Sequence, residues 1–386
     1  MIKKIIFINY QPLTEKVKKD FYISDLLQKD YKVEYWNLSK IYFPNIFLNS
    51  ITEDYIFDLT SFKELERMIA FNRMPETLFI SIITYEYRVI RLFLLLSKYN
   101  CKVGFFARGA LPFLSIDSTI FKLKKVLNPK LLLGFIKNKF AFFLKKFGVV
   151  KHYDLVFNAG NYGITTIGQC YKIEIENAKV ISINSFDYDN YNLTLENDIL
   201  INERYCLFLD DYLPYHPDFE LFGINTIESK SYYDSLNIFF NSIEKKFNLE
   251  VVVAAHPKAE KYKSVDLFNG RKVKFDKTSE LTKYAEFTIA HCSTAISYSV
   301  LNLKPVLFLY TNSLQMIMPS HFHLILNYSK VLDSLILNID KYSIDDVEIN
   351  TVNVSKYSDF KYKYLTSKES ENFKTSEIFF NELSRI

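Results

Sequence analysis

Three groups of residues in the second half of the chain have side chains suited to acid–base or phosphate chemistry. The first is His256, which follows the apolar run Val251–Ala255 and precedes Pro257 and Lys258. Pro257 fixes its own φ and disfavours a helical residue before it, so the pattern predicts a sharp turn where a strand ends. An imidazole there can donate to a phosphate or to a leaving nucleotide oxygen, because its charge responds near neutral pH. A histidine after a strand is also a common structural residue.

The second group is the hydroxyl pair Ser293 and Thr294, in the segment FTIAHCSTAISYSVL. The pattern predicts a strand running into a helix, with both hydroxyls beside the unpaired N–H groups and the positive end of the helix dipole. Such a helix start can bind an anion. The simpler interpretation is that Ser293 only caps the helix. With His256 on a neighbouring strand of the same lobe, the pair favours a site that holds one nucleotide phosphate. The candidate nucleotide-binding residues are His256, Pro257, Lys258, Ser293 and Thr294.

The third group is Asp210 and Asp211, directly after the apolar run YCLFL. A carboxylate at that strand end can act as a base on an acceptor hydroxyl. It can equally act as a nucleophile that forms a transient glycosyl-enzyme and retains the anomeric configuration. Paired aspartates in a loop are often turn residues as well.

The elements that must position these residues alternate along the chain. Short apolar runs such as Lys4–Asn9, Thr77–Ile83 and Pro305–Tyr310 alternate with segments whose apolar residues recur every three or four positions. That alternation predicts parallel sheets with crossover helices. Because single cores rarely exceed about 300 residues, 386 residues predict two lobes. We therefore expect an α/β fold of two Rossmann-like, doubly wound lobes that face a central cleft.

The predicted boundaries are an N-terminal acceptor lobe at 1–197, a nucleotide-sugar lobe at 198–366, and a C-terminal helix at 367–386 that crosses back to the first lobe. The linker is placed at 192–203, where the sequence is polar and lacks periodicity. Four residues at predicted strand ends of the first lobe are candidates for binding the acceptor or the sugar, and Arg108 can pair with a carboxylate or phosphate. These candidates are Arg108, Asn158, Asp187 and Asp189.

The second lobe resembles the bacterial GT-B glycosyltransferases that use CMP-activated acidic sugars, namely the sialyltransferases and the Kdo and nonulosonate transferases. The resemblance covers mainly residues 205–310 and rests on His256-Pro257, on Ser293-Thr294 and on the form of YCLFLDDYLPYHPD. It implies that these two pairs hold the CMP moiety. The first lobe lacks the DDG or DEG-type motif that often carries the catalytic base, so Asp210 and Asp211 become the candidates for that role.

The segment 121–151 differs from its surroundings, because it has nine lysines, no acidic residue, and Phe and Leu throughout. This composition is typical of a helix on an anionic membrane surface. The alternative is a pair of surface helices with solvated lysines. The chain begins without the longer apolar run of a signal peptide, and no stretch is apolar enough to span a bilayer. We expect a cytoplasmic protein that is peripheral at the inner face of the membrane.

Composition excludes several other classes. A net charge of +4 is too small for a nucleic-acid partner. The cysteines lack CxxC spacing, adjacent aspartates do not supply a metal-binding DxD motif, and His321 and His323 are interpreted as structural, so we expect neither a metal nor a cofactor. The cysteines are Cys101, Cys170, Cys206 and Cys292.

The resulting hypothesis is a metal-independent transferase that moves a 2-keto sugar acid from a CMP-sugar to a glycan or glycolipid acceptor of a capsule, lipopolysaccharide or O-antigen. Three alternatives remain open. The first is a CDP-glycerol-type polyol-phosphate transferase, the second a sugar-nucleotide epimerase on the same two-lobe plan, and the third an inactive scaffold at the membrane.

Overall fold

The computed structural model describes residues 1–45, 51–109, 111–112, 129–161, 172–196 and 198–386. The described chain forms two compact units, each built around one parallel sheet. Unit 1 comprises Met1–Ala110, Leu114–Asn184 and Thr366–Ile386, and unit 2 comprises Leu111–Phe113 and Ser185–Leu365. Two parallel α/β sheets confirm the predicted fold class.

The sheet of unit 1 has seven strands in the order β3-β2-β1-β4-β5-β6-β7, and every pairing is parallel. The strands are β1 Lys4–Asn9, β2 Lys32–Asn37, β3 Ile56–Asp58, β4 Thr77–Ser81, β5 Lys102–Ala107, β6 Leu155–Ala159 and β7 Lys179–Ile183. The described helices are α1 Glu15–Asp20, α2 Ile23–Gln28, α3 Ser39–Tyr42, α4 Phe62–Asn72, α5 Ile90–Lys98, α6 Pro129–Lys146 and α7 Lys172–Asn177. The central strands are buried almost throughout, as a sheet covered by helices on both faces requires.

The sheet of unit 2 has six parallel strands in the order β10-β9-β8-β11-β12-β13. The strands are β8 Tyr205–Leu209, β9 Glu250–Ala254, β10 Val273–Lys274, β11 Thr288–Ala290, β12 Val306–Tyr310 and β13 Ile336–Asn338. The helices are α8 Phe186–Thr194, α9 Pro217–Phe222, α10 Ser229–Phe247, α11 Thr278–Tyr284, α12 Ile296–Leu301, α13 Asn312–Ile317, α14 Pro319–Leu332 and α15 Val354–Phe360. Numbered by their order in the chain, the six strands lie in the order 3-2-1-4-5-6. Successive strands are therefore added on one side of β8 up to β10 and on its other side from β11, so the strand order reverses between β8 and β11. Ligands of open α/β sheets bind at such a reversal.

The boundary between the units lies at Asn184/Ser185, not at the predicted 197/198. The reason is helix α8, which the sequence placed partly in the linker. Its Thr194 hydroxyl lies 2.6 Å from the Ser279 hydroxyl, and its Asn190 amide donates to Tyr298 at 3.0 Å. These contacts join α8 to α11 and α12, so the segment belongs to unit 2.

The C-terminal segment from Thr366 lies with unit 1 and ends in helix α16, Thr375–Arg385. The Phe379 ring packs edge-on against Phe106 of β5 and Phe157 of β6, at 5.2 and 5.1 Å between ring centroids. The Ile2 N–H donates to the carbonyl of Leu383 near the C-terminal end of α16. The chain therefore leaves unit 1 after β7 and returns to it over the last 21 residues.

Candidate active site

The carboxyl ends of β8, β9 and β11 meet at one edge of the unit 2 sheet and bring together most of the predicted site. Asp210 and Asp211 follow β8, His256 follows β9, and Ser293 follows β11. The structure joins them by hydrogen bonds. Asp210 accepts from the backbone N–H of His256 at 3.3 Å, and Asp211 accepts from the N–H of Cys292 at 2.9 Å. The Asp211 contact bridges β8 and β11 across the point where the sheet order reverses.

Asp210 is buried and its carboxylate accepts three hydrogen bonds. Besides the His256 N–H, the donors are the Tyr212 N–H at 3.0 Å and the Tyr262 hydroxyl at 3.2 Å. Burial is the main reason that the pKa of Asp210 rises to about 7, and the neighbouring Asp211 adds to the rise against the lowering effect of the donors. A carboxyl group with this pKa exchanges its proton near neutral pH.

Asp211 is partly exposed and carries the other carboxylate of the pair. Burial raises the pKa of Asp211 to about 6, while hydrogen bonds from the Cys292 N–H and the Ser293 hydroxyl act to lower it. The group is therefore mostly ionised at pH 7 and still basic enough to remove a proton from a hydroxyl. Of the two carboxyl groups, Asp211 is the better placed to meet a substrate because Asp210 is 3% exposed.

The structure places Ser293 and Thr294 differently from the sequence prediction. Helix α12 begins at Ile296, its N-cap is Ala295, and no side-chain oxygen caps it. The Ser293 hydroxyl accepts from the Ala295 N–H at 3.4 Å, and its carbonyl accepts from the Ile296 N–H. The same hydroxyl acts to lower the pKa of Asp211. Ser293 and Thr294 therefore lie in the turn before α12 and not at its N-cap, and their role in phosphate binding stays a prediction. Thr294 is exposed beside Ser293.

His256 forms a tight turn with the two residues after it. Its Nδ1 accepts from the backbone N–H of Lys258 at 3.1 Å. An Nδ1 that accepts carries no proton, so the neutral ring has its proton on Nε2. Pro257 at the turn centre is exposed, and the Lys258 ammonium lies 2.8 Å from a carboxylate oxygen of Asp218.

A second histidine, His216, repeats this arrangement beside the first. Its Nδ1 accepts from the Asp218 N–H at 3.2 Å and caps helix α9, so its neutral ring also has the proton on Nε2. The His216 and His256 rings pack edge to face with 4.7 Å between centroids. Burial lowers the pKa of His216, which favours the neutral form. Sequence reasoning missed this residue, although the repeated His-Pro dipeptide at 216–217 and 256–257 was the available signal.

Buried aromatic side chains hold the site residues in place by hydrogen bonds. The Tyr262 hydroxyl, which donates to Asp210, lies 2.7 Å from the hydroxyl of Tyr233 on α10. His291, at the end of β11, donates from Nδ1 to the Leu309 carbonyl at 2.7 Å and accepts at Nε2 from the Tyr232 hydroxyl. Burial lowers the pKa of His291 to about 4. His291 is therefore a neutral, fully hydrogen-bonded ring that fixes the end of β11.

The comparisons with known proteins concern the fold. No family model matches this chain, and no curated protein matches its sequence. Two structures of the wall teichoic acid polymerase TagF, a histidine-to-asparagine and a histidine-to-alanine variant, align with 99% of this chain and with 89% and 90% of theirs. Both are 11% identical to it, with TM-scores of 0.51 and 0.50. The UDP-GlcNAc 2-epimerase of Methanocaldococcus jannaschii aligns over 99% of this chain and 100% of its own, at 14% identity and a TM-score of 0.47.

The chain has a GT-B-like fold. This conclusion rests on the two Rossmann-type sheets and on the polymerase structures, and at such identities it concerns the fold alone. In this chain the strand-end residues described above lie together in unit 2. We call Asp210, Asp211, His216, His256 and Ser293 the switch-point cluster.

The remaining predicted acceptor residues lie outside this cluster. Arg108 is 3% exposed, and its guanidinium donates to the backbone carbonyls of Asn184 and Asp20 at 2.9 and 3.0 Å, which indicates a structural role in unit 1. Asn158 also bonds to the backbone of unit 1, since its amide donates to the Gly160 carbonyl at 2.6 Å in the turn after β6. Asp187 and Asp189 lie in the first turn of α8, so they belong to unit 2 and not to the predicted acceptor lobe.

Of the two histidines of α14, His321 lies near the cluster. His321 packs edge-on against Phe219 of helix α9, at 5.5 Å between ring centroids, and burial lowers its pKa. This contact agrees with the structural interpretation of His321. Across the described residues, no group of three or more His, Cys, Asp or Glu side chains is arranged to hold a metal ion.

Proposed function

We propose that this chain is a transferase that moves a group from a nucleotide-activated donor onto an acceptor of a surface polymer. One observation carries the proposal: at the reversal point of the unit 2 sheet, a carboxyl pair with raised pKa values lies beside two imidazoles. The imidazoles can donate hydrogen bonds to the donor phosphate. Asp211 can act on the reacting centre as a base or as a nucleophile. The TagF likeness supports a polymer-building enzyme on this fold.

Two donor classes fall within this proposal. The sequence hypothesis gives a CMP-linked 2-keto sugar acid, and its rival is a CDP-linked polyol phosphate. Thermal unfolding with CMP, CDP, UMP and UDP tests both. A ligand that binds only the folded state at 100 times its Kd stabilises that state by about 2.7 kcal/mol. We expect one nucleotide to raise the Tm by several degrees, and we expect His256→Asn to abolish that rise. If no nucleotide raises the Tm, the proposed function is wrong.

The outer surface of helix α6 is suited to contact with a membrane, where a lipid-linked acceptor would be found. Its inner side contacts unit 1, where the Tyr85 hydroxyl donates to the Ala141 carbonyl and the Tyr87 N–H to the Asn138 side chain. The outer side and the turn after it expose large apolar residues, namely Leu133, Phe135, Ile136, Phe140, Phe143, Phe147 and Val149. Lysines lie among them, and the sequence from 129 to 151 has no acidic residue.

We therefore propose that α6 lies on an anionic bilayer, with apolar side chains at the acyl boundary and lysines at the headgroups. Of the 121–151 segment, residues 121–128 are outside the described residues. No helix in the described ranges has both the length and the apolar character needed to cross a membrane.

Vesicle co-flotation tests the α6 surface. We expect the protein to float with vesicles that contain phosphatidylglycerol and not with pure phosphatidylcholine, and to detach at high salt because the attraction is partly electrostatic. Phe140→Ser/Phe143→Ser should lose binding because both side chains are exposed on α6. The matched control is Ile238→Ser, which removes an apolar side chain that is 63% exposed on unit 2. Equal binding of both variants would contradict the proposal.

A sugar-nucleotide epimerase is the second candidate. Two carboxyl groups with pKa values of about 6 and 7 can remove and return a proton at a sugar carbon near neutral pH. Several structural neighbours are UDP-GlcNAc 2-epimerases. Incubation with UDP-GlcNAc and no acceptor separates the candidates, since an epimerase converts the sugar under those conditions and a transferase does not.

A further inference from the structure

We propose that His216 is a second phosphate-binding residue, which forms with His256 a two-imidazole site for the phosphoryl groups of the nucleotide. This inference rests on the proposed function and deepens it. It assigns a ligand-binding role to the histidine that sequence reasoning missed.

The first step of the argument is the hydrogen bonding of the two rings. Each Nδ1 accepts a backbone N–H two residues further along, from Asp218 for His216 and from Lys258 for His256. Each neutral ring therefore presents an Nε2–H donor. Both rings are partly exposed, with 16% for the His216 side chain.

The second step is the spacing. The ring centroids are 4.7 Å apart. An imidazole nitrogen lies about 1 Å from its ring centroid, so the two Nε2 atoms are within about 7 Å of each other. Hydrogen bonds of about 2.8 Å from both donors can then reach oxygens of one phosphoryl group or of two bridged groups. A nucleoside monophosphate and a nucleoside diphosphate are thus both compatible ligands.

The third step is the charge around the rings. Asp218, whose carboxylate lies 3.8 Å from His216 Nδ1, also contacts the Lys258 ammonium at 2.8 Å. That ion pair offsets the negative charge nearest the rings and holds the two His-Pro turns together. Of the remaining carboxyl groups at this edge, Asp210 has a pKa raised to about 7, and its partial protonation lowers the repulsion of a bound anion.

The experiment uses His216→Asn, because the Asn Oδ1 takes the place of Nδ1. Asparagine can still accept from the Asp218 N–H and cap α9, yet it lacks the Nε2–H donor. His256→Asn makes the same change at the other turn, and His323→Asn is a matched control on α14. Isothermal titration measures the binding of inorganic phosphate, pyrophosphate, CMP, CDP, UMP and UDP to each protein.

We expect His216→Asn to weaken the binding of pyrophosphate and of the preferred nucleotide by about tenfold or more. The control should bind as the unmodified protein does, and the Tm of His216→Asn without ligand should be unchanged. Binding of a nucleotide with equal affinity to His216→Asn and to the unmodified protein would overturn the inference and leave the proposed function intact. Pyrophosphate binding that depends on His216, without any nucleotide binding, would support the phosphate site and contradict the proposed function. If the unmodified protein binds none of these anions, both proposals are wrong.

Discussion

Replacing Asp211 with Asn is expected to lower the rate of group transfer by about 1,000-fold, since general acid–base groups contribute about 100- to 10,000-fold. The variant should still fold. The Asn Oδ1 can still accept from the Cys292 N–H, as the Asp211 carboxylate does at 2.9 Å, and the side chain keeps its size. Only the basic or nucleophilic oxygen is lost. The measurement is the initial rate of product formation with the nucleotide donor identified by binding.

The pH dependence of the same reaction tests the assignment independently. A base acts when it is deprotonated, so kcat/KM should fall as the pH drops through the pKa of Asp211, about 6. Asp210 is the neighbouring carboxyl group, and its higher pKa of about 7 means that it is largely neutral where Asp211 first ionises. The two groups titrate as a coupled pair, so the acidic limb is broad.

A matched variant and the product stereochemistry complete this test. Asp234→Asn removes a carboxylate that is 58% exposed on α10 and should keep the rate of the unmodified protein. A rate for Asp211→Asn within threefold of that control would remove Asp211 from the mechanism. With a sugar donor, the anomeric configuration of the product, read by NMR, then separates the two roles, because a base on the acceptor gives inversion and a nucleophile gives retention.

The sequence predicted the strand ends of unit 2 well, and the reason is geometric. Strand β8 spans Tyr205–Leu209 in the structure, as the apolar run predicted. Parallel strands end at one edge, so polar residues that follow β8, β9 and β11 within about three positions must lie close together. Asp210, Asp211, His256 and Ser293 could therefore be placed without knowledge of any contact.

The features that the sequence did not predict depend on how segments fold back. His216 lies seven residues after β8, and only the path of that loop brings its ring to His256. Ser293 looked like a helix cap because Ser before an apolar run commonly caps, but its hydroxyl accepts from the Ala295 N–H in a turn, and helix α12 begins only at Ile296. The unit boundary was misplaced because α8 is polar and weakly periodic, and only its contacts show where it belongs.

Lys145 is a further example, because the lysine-rich composition of 121–151 suggested a solvated or headgroup-facing side chain. The structure buries it completely, paired with an equally buried Glu174 of α7. Its ammonium lies over the rings of Tyr153, Tyr85 and Phe93, at 3.8, 4.5 and 5.3 Å from their centroids. A partner 29 positions along the chain leaves no local signal in the sequence.

Replacing Lys145 with Met is expected to lower the free energy of unfolding by about 3 to 5 kcal/mol, the usual effect of breaking a buried ion pair from one side. Methionine keeps the length of the stem but leaves Glu174 as a buried carboxylate. Among the described residues, that carboxylate would retain the Tyr153 N–H and the His152 ring as partners, at 3.1 and 3.3 Å. Urea unfolding measures the change, and Lys146→Met is the control on the exposed side of the same helix, with an expected effect within about 0.5 kcal/mol.

The double variant Lys145→Met/Glu174→Leu separates the charge from the packing. If the loss comes from an uncompensated charge, removing the carboxylate should restore most of the stability, because apolar pairs often replace buried ion pairs without cost. If it comes from lost packing around the aromatic rings, the double variant should be no more stable than Lys145→Met. An effect of Lys145→Met as small as that of Lys146→Met would show that the pair is not what attaches α6 to unit 1. The exposed face proposed to meet the membrane would then need another anchor.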